Sequence, residues 1–297
     1  MTLYDENEKK KLIEASLREY EEGVKKINTM KDDGTFPQSP TEMMKRLGYE
    51  PTGYTPVEEN VSPASISSII RNRIQTAGKR YHANDCIADF IQEGEHDKLI
   101  DEIATNFEVV LRSLIIDTET DPNSTGTAHR LAKMYVNEIM SGRYFPAPKV
   151  AAFPNDGSHG TKPYNGMLVI RAELKSMCSH HHQPVSGVAY IGIVPSIKVI
   201  GLSKYVRIAQ HCARRGTLQE ELCGDIATAI MKATESENVG VHLAAEHGCC
   251  TNRGVMAASS LTQTTVLHGM FYISSIKQEF FDNIKLQSTN QSKYSCV

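Results

Sequence analysis

The 297-residue sequence has no tryptophan, which decides little, and four other absences decide more. No apolar run approaches the roughly 18 residues of a membrane-spanning helix, so no membrane partner is expected. The opening stretch MTLYDENEKKKLIEASL lacks the apolar core and cleavage site of a secretory signal, which sets the expected location as cytoplasmic. Basic charge is not in excess: 32 Lys and Arg stand against 35 Asp and Glu, for a net charge of −3. That balance argues against a general nucleic-acid binder and leaves room for a local basic pocket holding a small anion. A disulfide framework is also missing. The seven cysteines, Cys86, Cys178, Cys212, Cys223, Cys249, Cys250 and Cys296, are odd in number and irregularly spaced, which moves the weight to metal or catalytic use.

What is present suffices for a sizeable core, with 40% hydrophobic and 23% charged residues. Residues 5–30 have the spacing of a charged amphipathic helix, with Leu12, Ile13, Leu17, Tyr20, Val24 and Ile27 on one side. Residues 31–65 are proline-rich and read as a linker. Helical spacing resumes at Ile66, Ile69, Ile70 and Ile74. We therefore divide the chain into an N-terminal helical and linker extension, 1–95, and a domain from 96 to 297. Within that domain, Leu99, Ile103, Phe107, Val110 and Leu114 predict one helix, and TAHRLAKMYVNEIMSG a second that ends at Gly142. NGMLVIRAELKSMC and SGVAYIGIVP predict strands, and SIKVIGL continues that pattern. SKYVRIAQHCARR and LQEELCGDIATAIMKATE predict two helices, and VGVHLAAEHGCC and SLTQTTVLHGMFYIS two more strands. Runs of strands followed by runs of helices indicate an α+β fold with an antiparallel sheet.

Two stretches carry metal-binding chemistry. SMCSHHHQ sets Cys178 and His181 at Cys-x-x-His spacing, and EHGCC sets His247 and Cys249 at His-x-Cys spacing. If the second pair lies on a strand, its side chains point the same way. Thiolate with imidazole suits Zn²⁺, and three protein ligands would leave a fourth position open for water. A structural site using all four groups is the alternative. Spacing does not choose among His180, His181 and His182, nor between Cys249 and Cys250.

Basic residues cluster as well. GLSKYVRIAQ opens a helix near Ser203 and places Lys204 and Arg207 on one face, where a helix N-terminus favours phosphate. Arg253 follows the second metal pair, and Arg130 and Lys133 stand three apart. The plainer reading of each is a solvated face. In TLQEEL, Thr217 and Glu220 match a capping box, against the alternative that Glu220 points into a pocket and reads a base.

Taken together, SMCSHH, VIGLSKYVRIAQHCARRGTLQEEL, EHGCCTNRGV and HRLAKMYVNEIMSGRYFPAP resemble GTP cyclohydrolase I, in order and with similar spacing from about residue 96 to 285. The resemblance implies the tunnelling fold, an antiparallel sheet backed by two helices, assembled as a homodecamer with sites between subunits. It implies Zn²⁺ held by Cys178, His181 and Cys249, with His180 and His247 as catalytic acid–base groups and His182 without a role. It assigns Glu220, with Gln219 beside it, to the guanine edge, and Ser203, Lys204, Arg207 and Arg253 to the triphosphate of GTP. Arg130, with Lys133 close by, would come from a neighbouring subunit. The implied reaction is hydrolysis of GTP at guanine C8, loss of formate, ribose rearrangement and closure to 7,8-dihydroneopterin triphosphate, which feeds folate, biopterin or deazaguanine routes.

The sequence departs from the family in carrying Ser179 where a glutamate is usual and Ala128 where a proline is usual, and in its long N-terminal region, which suggests a regulatory partner. Another tunnelling-fold enzyme acting on a purine or pterin, and a non-catalytic zinc-stabilised binding protein, stand as alternatives.

Overall fold

The computed structural model describes residues 65–157 and 162–294, all within one compact unit. The helix expected at residues 5–30 and nearly all of the proline-rich stretch lie outside the described residues. Helix α1 (Ile66–Thr76) is capped by Ser65, whose hydroxyl accepts from the Ser68 amide. Ile70 and Ile74, one turn apart, are buried with Ile87 and Leu99, the last on helix α2 (Glu95–Ser113). A bidentate ion pair also joins the two helices: the Arg73 guanidinium donates to both Glu95 oxygens at 2.6 and 2.7 Å.

The stripe expected along α2 is only partly buried. Leu99, Ile103 and Phe107 pack inward, but Val110 and Leu114 are exposed, because the buried row drifts through Ile100 to Leu111. The next helix is not continuous either. Helix α3 (Thr127–Lys133) widens into a π-helical turn (Met134–Ile139), followed by the short α4 (Ser141–Tyr144). Gly142 does not end that helix. It lies inside α4, where a Cβ would collide with the His211 carbonyl, so its role is close approach between two helices.

The main sheet runs in the order β5-β2-β3-β6-β7. Strands β2 (Leu168–Cys178), β3 (Pro184–Ile193), β6 (Val239–His247) and β7 (Thr262–Leu267) pair antiparallel, and the two-residue β5 (Gly216–Thr217) joins the end of β2 in parallel. The SIKVIGL strand forms outside this sheet: β4 (Lys198–Ile200) pairs only with β1 (Ala152–Pro154).

Both faces of the sheet are covered, which explains the nearly unbroken apolar run of β3. Ala189, Ile191 and Ile193 point to one side, into a core shared with Tyr205 and Ile208 of helix α5 (Leu202–Ala213) and Ile226 and Ile230 of helix α6 (Gln219–Thr234). Val188, Tyr190 and Val194 point to the other, against Phe271, Phe280 and Ile284. Phe280 and Ile284 belong to the long C-terminal helix α8 (Ser274–Tyr294), an element the sequence patterning leaves unassigned. Between β6 and β7 sits a single helical turn, α7 (Gly248–Thr251). The architecture is α+β, as the order of strands and helices predicts.

Candidate active site

The sheet register gathers the chemistry at one end. Cys178 is the last residue of β2 and lies beside Thr217 of β5; His247 is the last residue of β6 and lies opposite Val185 of β3. Gly187 makes this close pairing possible, since a Cβ there would strike Ala244 and Ala245 of β6. Cys249 is not on the strand with His247. It sits on α7, because the chain turns into a helix at Gly248, so the strand alternation expected to aim His247 and Cys249 alike does not operate. The turn instead folds Cys249 back onto Cys178, in an apolar cluster with Val185, Ala245 and Leu218.

The Cys249 thiol is pushed up to about 11, first by burial and then by its thiol neighbours Cys250 and Cys178. Adjacent thiols in apolar surroundings disfavour one another's charge, and a bound cation reverses that preference. Soft, paired sulfur donors therefore fit Zn²⁺ at Cys178 and Cys249. Among the described residues no group of three or more His, Cys, Asp or Glu side chains is already gathered as a metal site. His181 is in the exposed turn after β2, together with His180. That turn is closed by the His182 amide donating to the Cys178 carbonyl at 2.9 Å, and by the Cys178 amide donating to the Gln183 carbonyl at 2.9 Å. His182, which carried no expected role, holds the left-handed position of the turn at φ 51°, an uncommon conformation for a residue with a side chain, and its ring lies 5.8 Å from that of Tyr135.

His247 is the most constrained group here. Its Nε2 lies 2.6 Å from the Gln219 Oε1. The Gln219 amide is oriented by its nitrogen, which donates to the carbonyls of Leu243 and Thr262 and to the Thr264 hydroxyl at 3.0–3.2 Å. Its oxygen is therefore the acceptor, Nε2 of His247 carries the proton, and Nδ1 keeps a lone pair. Burial lowers the pKa of His247, and the nearby Glu220 carboxylate opposes that shift. Gln219 is 3% exposed and its polar atoms are engaged within the protein, so it reaches the site through His247.

Glu220 behaves differently from its neighbour. Helix α6 has Leu218 at its N-cap and no side-chain cap, and the Thr217 hydroxyl donates to the Leu218 carbonyl. The capping-box reading of Thr217 and Glu220 therefore fails, and the Glu220 carboxylate stays exposed beside His247.

The basic residues fall into two groups. Ser203, Lys204 and Arg207 line the first turns of α5, with Ser203 and Arg207 exposed and the Lys204 ammonium donating to the Lys149 carbonyl at 2.8 Å. Arg253 is exposed just beyond α7. Arg130 is instead bound into its own loop, donating to the carbonyls of Asn123 and Thr125 and to the Thr127 hydroxyl. Lys133 is exposed on the same helix.

An antiparallel-dominated sheet covered by helices on both faces, with paired thiols, a clamped imidazole and an exposed carboxylate at one end, defines an α+β protein with an enzyme-like site. A family model described as GTP cyclohydrolase I matches residues 103–285, more than half of the chain. The chain is 37% identical over 188 residues to GTP cyclohydrolase 1 of Aeromonas salmonicida, covering 62% of this chain and 84% of that one. It is 36% identical over 195 residues to GTP cyclohydrolase 1 of Flavobacterium johnsoniae, covering 65% and 84%, and 37% identical over 172 residues to that of Vibrio cholerae, covering 58% and 77%. The chain belongs to the GTP cyclohydrolase I family, a family of enzymes.

Proposed function

We propose that the chain hydrolyses GTP at guanine C8, releases formate, rearranges the ribose and closes the ring to 7,8-dihydroneopterin triphosphate. The observation that carries this reading is the meeting at one sheet end of Cys178, Cys249, His247 and Glu220, drawn from β2, α7, β6 and α6. Cys178, Cys249 and His181 would hold Zn²⁺. When bound, that ion supplies the Lewis acidity that makes water a nucleophile near neutral pH.

The chain's own residues do the rest. His247, with its proton fixed at Nε2, accepts a proton at Nδ1 from the attacking water and delivers it to the ring nitrogen released as the C8–N bond breaks, and a second cycle of the same kind, with a second water, frees formate. His180 shares the proton traffic from the β2–β3 turn. Glu220 accepts hydrogen bonds from the N–H groups of the guanine edge, a charge-assisted contact that selects guanine. Gln219, assigned with Glu220 to the base, acts through His247 in our reading. Ser203, Lys204, Arg207 and Arg253 hold the triphosphate and position the nucleotide without breaking a bond.

Assembly completes this picture. Among the described residues the outer edge of β7 has no strand partner, and β2 has none on one side except at Met177 and Cys178, where β5 joins it. Open edges at both ends of one sheet suit head-to-tail pairing of identical copies into a closed ring. The exposed Val109, Val110, Leu114 and Ile115 at the end of α2 offer apolar contact area for the same purpose. We propose a homo-oligomer, a decamer by analogy with the family, in which Arg130 and Lys133 of one copy serve the site of the next. The remaining elements of the proposal are a cytoplasmic location, a product used in folate, biopterin or deazaguanine synthesis, and a division into an extension (1–95) that takes a regulatory partner and a catalytic region (96–297). Among the described residues no helix is long and apolar enough to cross a membrane.

The test is to incubate the purified full chain with GTP, with and without a chelator, and to follow formate and the fluorescent pterin formed on oxidation. Chelator-sensitive production of both is expected. A folded, zinc-loaded oligomer that makes neither would overturn the reading.

A further inference from the structure

Sequence spacing leaves Cys249 and Cys250 undistinguished, and the structure gives a reason to use both. The two residues are consecutive on the single helical turn α7. Consecutive side chains leave a helix about 100° apart and do not face each other. Their sulfurs nevertheless converge to 3.9 Å. Two thiolates on one tetrahedral zinc, each about 2.3 Å from the ion, stand about 3.8 Å apart. The Cys249 and Cys250 sulfurs therefore already have the spacing that a shared ion requires.

Three further observations bear on the direction of the Cys250 thiol. Cys249 packs in the apolar cluster with Cys178 and Val185, whereas Cys250 is half-buried outside that cluster, so the packing of a small apolar side chain does not account for where its sulfur points. Among the described residues the Cys250 thiol has no hydrogen-bond partner other than Cys249. Its backbone is held in place, since the Ala257 amide donates to the Cys250 carbonyl at 2.9 Å and the Asn252 amide to the Gly248 carbonyl at 3.0 Å. Cys249 thus has two thiol neighbours, Cys178 and Cys250.

We propose that Cys250 is a fourth metal ligand, which completes a set of three thiolates and one imidazole with Cys178, Cys249 and His181 in the resting protein. The inference rests on the reading above for the ion and for those three ligands, and adds Cys250 to them. A tetrahedral ion with four protein ligands has no open position, and hydrolysis requires one. Cys250 therefore has to leave the ion when the nucleotide enters. Among the described residues no three such donors are preassembled, so only the ion itself would hold Cys250 in the set.

The test uses the full-length protein loaded with Co²⁺ in place of Zn²⁺ and reads the near-ultraviolet thiolate-to-cobalt charge-transfer band, whose intensity counts bound thiolates. Cys250→Ser should remove about one third of the native intensity, as three thiolates become two. It should also weaken Zn²⁺ binding at least about tenfold in competition with a chromophoric chelator, since even a group that only touches a ligand contributes that much. Thermal unfolding of the metal-free native and variant proteins should coincide, because the thiol has no other partner. Adding GTP to the native cobalt protein should lower its band to the Cys250→Ser level. Equal bands in the native protein and Cys250→Ser overturn Cys250 as a ligand and leave Cys178 and Cys249 in place. A native protein without a thiolate band overturns the metal reading itself. A native band that GTP leaves unchanged overturns the displacement of Cys250.

Discussion

Gln219 links the stability of the sheet to the protonation of the site, so its replacement should separate two effects. Its side chain is 3% exposed, its nitrogen serves three oxygens on β6 and β7, and its oxygen receives the His247 proton. In Gln219→Leu the volume is kept, but the two N–H donors and the acceptor are lost. Each buried group left without a partner costs about 1–3 kcal/mol, so the loss should be about 2–5 kcal/mol. For a domain of this size each kcal/mol lowers Tm by about 2–4 °C, giving a fall of about 4–20 °C. With Nε2 released, the imidazole is free to change tautomer and to rotate, and kcat should fall at least about 100-fold, the lower range for lost acid–base catalysis. Gln219→Glu keeps an acceptor for Nε2 but has no N–H for the strand oxygens. It should lose comparable stability while retaining more of kcat than Gln219→Leu. Thermal unfolding and formate release on the same preparations measure both. If Gln219→Leu unfolds early yet turns over normally below its Tm, the placement of the His247 proton by Gln219 is wrong.

Other outcomes follow from the same structure. Glu220→Gln should raise the KM for GTP about tenfold or more while moving Tm little, because the carboxylate is exposed and caps no helix; a large drop in Tm would restore the capping role. Arg73 holds the Glu95 carboxyl down to about 2, below its unfolded range near 4.5. That lowering means the pair's contribution is complete above about pH 4.5 and is lost as pH falls toward 2, so Glu95→Gln should destabilise the protein by about 2 kcal/mol at pH 7 and progressively less in acid. Denaturant unfolding across that interval gives the answer, and an equal loss at pH 7 and pH 3 would contradict it. Ser179→Glu should leave turnover measurable, since Ser179 touches the site through its backbone amide, which donates to the Thr217 carbonyl; complete inactivity of a folded variant would count against this.

Sequence patterning locates most of the scaffold because burial imposes it. The strands β2, β3, β6 and β7 and the helices α5 and α6 coincide with apolar runs and helical spacing, since each must cover a face of the sheet. The misses occur where local chemistry, not burial, decides. Nothing in MYVNEI distinguishes a π-helical turn from an α-helical one. Gly142 reads as a terminator, but its missing Cβ serves the approach to His211. The CC pair looks like the end of a strand, yet Gly248 starts a helical turn that carries Cys249 back to Cys178. Thr217 and Glu220 have the spacing of a capping box, but the helix starts one residue later than that box requires. The engagement of Gln219 with His247 depends on a pairing between segments 28 residues apart, which no local pattern encodes.

The exposure of the site residues follows the same division of labour. Groups that position others are buried: Gln219, Cys178 and the strand residues around them. Groups assigned to the nucleotide, Glu220, Ser203, Arg207 and Arg253, are all exposed in a single copy, as are His180 and His181. An exposed carboxylate or guanidinium is strongly hydrated and gives a weak, poorly oriented contact, whereas the same group in a closed site is worth several times more. A surface that carries so much of the recognition chemistry therefore needs a cover to work at full strength. In the assembly proposed above a second copy of the chain supplies that cover across the sheet edges of β2 and β7 that have no partner among the described residues, and Arg130, held by its own loop through Thr125 and Thr127, is the residue that proposal brings to the neighbouring site.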